Sequence, residues 1–342
     1  MDAVDVIAVV GACGPERRGY AQRLAQLTEQ AFLPASGLAG SPDPAQDAVA
    51  SASRSDPAAG AVLELPDEVS AVELIGAFAA DEGARLLALV CVVDAVHVLA
   101  DLDRQDHLPP REARSGVAVP LMARAHLTVA QIEYASTIVL VNWSTLAPSD
   151  LTVVMALLNH VSPRARLRLH RDAVERLEAG EAYSAVQDRP GWVCLLNGDF
   201  DPHMGDPRVT AFRYEQVRPL HPGRLKRLLD ERIESGEFGA VVRSAGFCRL
   251  ATRPRVVAQW DHVGRVFSLN PLAVDDRLED EEELLALGQD LAIVGIGLDR
   301  DGLTAALDEA ALSDEELAAG PAAWAAFPDP FPFWALATER SE

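Results

Sequence analysis

The sequence predicts an α/β fold, a mainly parallel sheet with helices on both faces, joined to a smaller α+β domain. Three observations predict it. Short runs of Val, Ile and Leu alternate with helical patterns through the first half, as expected for strands buried on both faces and joined by crossovers. A polar stretch, NGDFDPHMGDP at 197–207, interrupts that pattern. A chain of 342 residues, 49% of them apolar, is longer than one ordinary domain and can fill two cores. The domains are accordingly placed at 1–196 and 208–342, with 197–207 as the linker.

Each element follows from its pattern. VDVIAVV at Val4–Val10 reads as a first buried strand, GACGPE as a turn, and RRGYAQRLAQLTEQ as a helix. Residues 40–60 are rich in Ala, Ser, Pro and Asp and read as a loop. A strand at Ala61–Leu65, a helix over Val69–Ala80 and a strand at Arg85–Val93 follow. Next come a helix containing Gln131 and Tyr134, then a strand at Ser136–Val141. Ligands of such sheets bind beyond the carboxyl ends of the strands, which directs attention to the segments there. The second half opens with a strand leading into a helix at 209–232. Strands are then expected at Ala240–Val242, Phe247–Ala251, Val256–Trp260 and Leu291–Ile296, with a helix at Asp301–Ala311. The aromatic tail Trp324–Trp334 is expected to pack back onto the second domain.

Composition narrows the function. MDAVDVIAVV carries two aspartates and no basic leader, and no 18-residue uncharged apolar run occurs. No secretion signal or membrane span is expected, and the protein is read as cytoplasmic. Cys13, Cys91, Cys194 and Cys248 are scattered singly, which suggests neither a disulfide framework nor a thiolate zinc cluster. The net charge of −22 disfavours direct binding to DNA. Between Arg208 and Arg265, however, twelve Arg/Lys face six Asp/Glu, a local net of +6 that leaves −28 for the rest. Lys226 is the only lysine in the chain.

The first strand, turn and helix have the order of a phosphate-binding loop, G-x-x-x-x-G-K-[ST]. Laid on residues 11–18, that pattern keeps Gly11 and an inner Gly14, but puts Glu16 on the second glycine, Arg17 on the lysine and Arg18 on the Ser/Thr. Downstream, Val62-Leu63-Glu64-Leu65-Pro66, Val92-Val93-Asp94-Ala95-Val96 and Ile138–Leu146 resemble the corresponding segments of the CobW family of P-loop GTPases. In the second half, Arg218–Pro222, Arg243–Phe247, Leu250–Pro254 and Ile293–Gly295 resemble the CobW C-terminal domain. The resemblance implies a P-loop NTPase-like first domain, GTP with Mg²⁺ as cofactor, and zinc or cobalt as cargo. On it, Gly11, Gly14, Arg17, Arg18, Glu64, Asp94 and Asn142 occupy the family's nucleotide-binding positions.

Departures accompany the matches. Arg17 is bulkier and forked where a compact ammonium is needed, Arg18 has no hydroxyl for Mg²⁺, and Glu16 brings a carboxylate toward the phosphates. Trp143 and Thr145 replace the lysine and aspartate of the guanine-reading Asn-Lys-x-Asp. The switch segment Glu64-Leu65-Pro66-Asp67 lacks its glycine, and the family's Cys-x-Cys-Cys motif is missing. The altered P-loop, the replaced guanine motif and the Asp-Pro-Phe…Trp tail make the chain similar to a degenerate actinobacterial branch of the family, which includes a mycobacterial factor that recruits a hibernation protein to ribosomes under zinc limitation. The missing cysteine motif departs from that branch. No catalytic residue, resident cofactor or metal site is expected. The eight histidines show no metal-ligand spacing, and Asp199, Asp201, His203 and Asp206 read as an acidic turn.

The basic set Arg218, His221, Arg224, Lys226, Arg227, Arg249, Arg253 and Arg255 is the candidate contact surface for a protein partner, such as a ribosome-bound factor. The alternative for it is a self-paired face, with Arg224, Arg227 and Glu231 at helical spacing. The sequence thus leaves two functions open. One is a non-hydrolysing interaction protein of the zinc-limitation response, and the other a GTP-dependent metallochaperone with an unorthodox nucleotide site.

Overall fold

A computed structural model describes residues 3–108, 122–171, 181–186, 188–275 and 288–334. The chain forms two compact units, one of residues 1–191 with 201–206, the other of 192–200 with 207–342.

In the first unit, β1 (Val4–Val10), β2 (Ala31–Leu33), β3 (Ala61–Glu64), β4 (Ala84–Asp94), β5 (Thr137–Val141) and β6 (Arg166–Leu169) form one sheet in the order β2-β3-β1-β4-β5-β6. Every neighbouring pair is parallel. Helix α1 (Gly14–Thr28) covers one face, burying Tyr20, Ala21, Leu24 and Ala25 against Val9, Val62, Val90, Val92 and Val139. Helices α2 (Pro44–Ala52), α3 (Ala71–Ala79), α5 (Arg124–Glu133) and α6 (Pro148–Val161) pack against one another in sequence. Their right-handed crossovers run from β2 toward β6 and put them on the opposite face from α1. A short α4 (Val98–Leu102) follows β4. The chain leaves β1 toward one face and β4 toward the other, so the switch point of the topology lies between their carboxyl ends.

One expectation is corrected here. Residues 40–60 do not form a continuous loop, because α2 occupies their middle. Asp43 caps it by accepting from the Gln46 N–H at 3.1 Å, and Pro44 stands in its first turn. Ala45, Ala48, Val49 and Ala52 give it a buried face.

In the second unit, β7 (Val209–Gln216), β8 (Ala240–Cys248), β9 (Val256–Val263), β10 (Val266–Val274) and β11 (Gln289–Ile296) form an antiparallel sheet ordered β10-β9-β8-β11-β7. A helix α7 (Gly191–Asn197) precedes it. Helices α8 (Pro222–Arg227), continued as a wider π-turn at Leu228–Ile233, and α9 (Arg300–Ala310) bury Leu225, Leu229, Leu303 and Leu307 against Phe212, Tyr214, Leu291 and Ile293. The two strands expected at 240–242 and 247–251 are one strand, β8, and the chain returns through β10, which was not foreseen. Helices α10 (Asp314–Ala319) and α11 (Pro321–Trp324) lead into the tail. The tail packs back as expected, with Trp334 buried and its indole N–H donating to Leu269 O at 3.0 Å.

Candidate functional site

The site is built at the carboxyl ends of β1, β3, β4 and β5. Gly11 ends β1 at φ +135°, where a Cβ would lie 2.1 Å from Val92 O, so any side chain there would collide with β4. Cys13 caps α1 by position and donates its thiol to the same Val92 O at 3.3 Å. Burial, followed by the charge of Glu16, pushes that thiol up to about 12. It is a neutral packing residue at neutral pH.

Arg17 is turned inward. Its side chain is only 8% exposed, its Nη1 donates to Gly11 O, and its Nε lies 3.7 Å from Glu64 Oε1 without a hydrogen-bond partner. Glu64, equally buried, accepts from the Ala35 N–H through Oε2 at 3.2 Å. The cation where a lysine would face phosphate therefore ties the loop, the end of β3 and the segment after β2 to one another. Arg18 is exposed on the outside of α1.

At β4 and β5 the polar groups are likewise engaged. Asp94 Oδ1 accepts from the Val96 N–H at 2.8 Å, and Oδ2 from Asn142 Nδ2 at 2.8 Å and His97 Nδ1 at 3.0 Å. Burial works to raise the Asp94 carboxyl. The hydrogen bonds from His97, Asn142 and Val96 outweigh it and hold the group below its ordinary value. The bond to Asp94 raises His97 in turn. Asn142 sits in the left-handed region at φ 56°, and Thr145 turns its hydroxyl back to Asn142 O at 2.8 Å.

These residues do not fit a magnesium triphosphate. Pro15 removes one N–H from the first turn of α1, and Glu16 adds negative charge there. Arg17 is committed inward, and nothing at position 18 supplies the hydroxyl that holds Mg²⁺. Among the described residues, no three His, Cys, Asp or Glu side chains converge as a metal-ligand set.

The basic residues of the second unit are mostly spent internally. Arg249 makes a two-pronged pair with Asp275 at 2.8 and 2.9 Å, and Arg224 does the same with Glu316 at 2.8 and 2.7 Å. Arg224 therefore pairs across the fold, outside the helically spaced set Arg224, Arg227 and Glu231. Arg218 pairs with Asp314, and Lys226 with Asp230. Arg253 reaches Asp329 at 3.0 Å and lies over the Trp334 ring at 4.0 Å. His221 caps α8 by accepting from the Gly223 and Arg224 N–H groups, and stacks on Phe327. Arg227 and Arg255 are exposed.

Sequence reasoning did not single out a second cleft beside the loop. It has a volume of about 580 Å³ and is walled by Arg23, Trp143, His170 and Arg171 together with Pro15 and Glu16. The Trp143 indole N–H donates to His170 O at 2.9 Å, Arg23 Nη2 meets His170 Nε2 at 3.1 Å, and Tyr20 packs edge-on against that imidazole. Three separate elements supply these residues, so no spacing in the sequence announces them.

A parallel α/β unit with a phosphate-loop-like turn, joined to an antiparallel α+β unit, defines the class. Residues 209–311 match the cobalamin synthesis protein cobW C-terminal domain. A zinc chaperone of Mycobacterium tuberculosis is 30% identical over 274 residues, 73% of this chain and 62% of that protein. Zinc-regulated GTPase metalloprotein activator 1 of Dictyostelium discoideum is 27% identical over 143 residues, 40% of this chain and 30% of that protein. The matches thus span less than two thirds of either relative. The crystal structure of Zn(II)-bound YjiA GTPase from E. coli is 13% identical, with a TM-score of 0.35 over 91% of this chain and 100% of that one. The second unit thus carries a CobW C-terminal domain, and the similarity to CobW-type zinc proteins extends over most of the chain.

Proposed function

We propose that the chain is a CobW-type protein of zinc homeostasis that works by contact with a protein partner and does not turn over GTP. The observation that carries this reading is Arg17. Its guanidinium is buried against Gly11 O and Glu64, where a nucleotide-using loop would present its charge to phosphate. The names of the mycobacterial and Dictyostelium relatives supply the link to zinc. The partner in this reading is a ribosome or a ribosome-bound factor met under zinc limitation. Arg227 and Arg255 are the exposed arginines of the basic set.

Isothermal titration with GTP and ATP in the presence of Mg²⁺ is the first test, and no saturable heat is expected. Tight magnesium-dependent binding, together with zinc in the purified protein, would establish the GTP-dependent metallochaperone in its place. Co-sedimentation with ribosomes from zinc-starved cells tests the partner. Absence from every ribosomal fraction would remove it.

A further inference from the structure

The tail of the second unit is held as a ligand is held, not as an element of the sheet. Residues 327–334, FPDPFPFW, carry prolines at 328, 330 and 332. All three prolines face solvent, while Phe327, Asp329 and Phe331 turn inward. Proline fixes φ near about −65°, so such a segment is extended before it docks and loses little freedom in docking. Among the described residues, no backbone–backbone hydrogen bond ties 328–334 to the rest of the unit. Side chains hold it instead.

The receiving groove centres on Arg253, in the turn between β8 and β9. Arg253 Nε donates to Asp329 Oδ2 at 3.0 Å, and Thr252 Oγ1 donates to the same oxygen at 2.6 Å. Arg253 Nη2 donates to Phe331 O at 3.1 Å, and the guanidinium lies 4.0 Å from the centre of the Trp334 ring. Aromatic rings stand on either side. His221 stacks on Phe327 with centroids 4.5 Å apart, and Phe267 meets Phe331 at 6.2 Å. One arginine thus reads a carboxylate, a carbonyl and an indole face together. A groove lined by aromatic rings that takes up a proline-spaced segment is a general mode of peptide recognition. The tail does not satisfy it completely. Arg253 Nη1 is buried without an acceptor, and Phe333 is left 92% exposed. A segment that also offers Nη1 an acceptor would be held more tightly.

We propose that the Arg253 groove is a peptide-binding site, filled by the chain's own tail as a tethered ligand that a protein partner displaces. The partner presents an extended segment with a carboxylate two residues before an aromatic ring, a proline between them, and a further acceptor for Nη1. A tether of a few residues gives the tail an effective concentration of millimolar order. The tail of a second copy offers the same contacts without the tether, so at micromolar concentration it does not compete. The site lies within the second unit and does not depend on what the loop of the first unit binds.

The test uses the full chain and a fluorescein-labelled peptide of residues 324–334, followed by fluorescence anisotropy. Asp329→Arg in the chain sets like charge against Arg253 and releases the tail while leaving the groove intact. The peptide should bind this variant saturably and wild type at least roughly tenfold more weakly, because the tail occupies the groove there. An Asp329→Asn peptide should bind the released chain roughly tenfold more weakly than the unaltered peptide, through the lost charge on the paired oxygen. Adding Arg253→Gln to the released chain should abolish binding. Thr252→Ala, a milder change that guards against a folding defect, should weaken it. In wild type, millimolar peptide should speed amide exchange at Phe331, Phe333 and Trp334 as the tail is displaced. No binding to the released chain at millimolar peptide overturns the proposal, as does equal binding to wild type or indifference to both groove variants. A wild-type chain that dimerises at micromolar concentration, with the dimer lost in Asp329→Arg, makes the occupant a second copy and overturns the partner assignment. Each of these failures leaves the reading of the nucleotide loop standing, since GTP titration tests that separately.

Discussion

Buried arginines play opposite parts in the two units. In the second unit Arg249 meets a carboxylate with two well-made hydrogen bonds and a backbone carbonyl with a third. In the first, Arg17 has one carbonyl, a carboxylate 3.7 Å away and an Nε with nothing to donate to. The first arrangement is a finished structural joint. The second is a loosely paired cation with its Nε left without an acceptor. The difference teaches that charge alone does not identify a binding surface. The sequence's most basic segment is largely paired internally, though Arg224 Nε and Arg253 Nη1 there are, like Arg17 Nε, buried without a partner.

Removing each arginine puts this contrast to the test. Arg249→Ala should give the largest effect. It strands Asp275 and the Pro254 carbonyl, and a loss of about 3–4 kcal/mol is expected, read as faster amide exchange through β8 and β9. Arg17→Met should cost less, about 2 kcal/mol, because the pair it breaks is loose, although it leaves Glu64 buried without a counter-ion. Its signature should be local, with raised exchange at residues 34–37 and 64–67. Arg17→Met combined with Glu64→Leu should recover most of the loss, and a double variant no better than the single one would show that the pair is not a unit.

Smaller effects follow from pH. Arg224 holds Glu316 down to about 2, from 4.5 in the unfolded chain. That contribution is complete above pH 4.5 and is lost as pH falls from there through about 2. Solvent screening keeps it shallow, and wild type and Arg224→Gln should converge in stability at the acid end. Smallest is His221, whose ring is lowered by burial and then by Arg224, and which must be neutral to cap α8. Its contribution is complete above the ordinary 6.5 and declines as pH falls through it. His221→Asn, which keeps a capping acceptor, should flatten that part of the stability–pH curve. An unchanged curve would show that the cap is not titrating there.

Much of the fold was legible because buried strands announce themselves, as at Val4–Val10 and Ile138–Val141. Helix α2 was missed because Ala, Ser, Pro and Asp suggest a loop in bulk. Its signal lay in Asp43-Pro44 followed by the spacing of Ala45, Ala48, Val49 and Ala52. Strand β10 escaped because Asn270 and Pro271 interrupt its pattern, and it lies at the sheet edge, where proline is tolerated. At the loop, the identity of residue 17 was readable, but the direction of its side chain was not. The pairing of Arg224 with Glu316, or of Arg253 with Asp329, joins residues far apart in the chain. Helical spacing set Arg224 beside Arg227 and Glu231, whereas the fold brings it to Glu316 of α10.

Gly11 has a wider consequence. The oxygen of Val92 leaves no room for even a methyl group at that position, so two strands demand the glycine whether or not an anion ever arrives. A motif search that scores this residue measures the closeness of neighbouring backbones and not an affinity. Replacing it with alanine would disturb the sheet before it could report on any ligand.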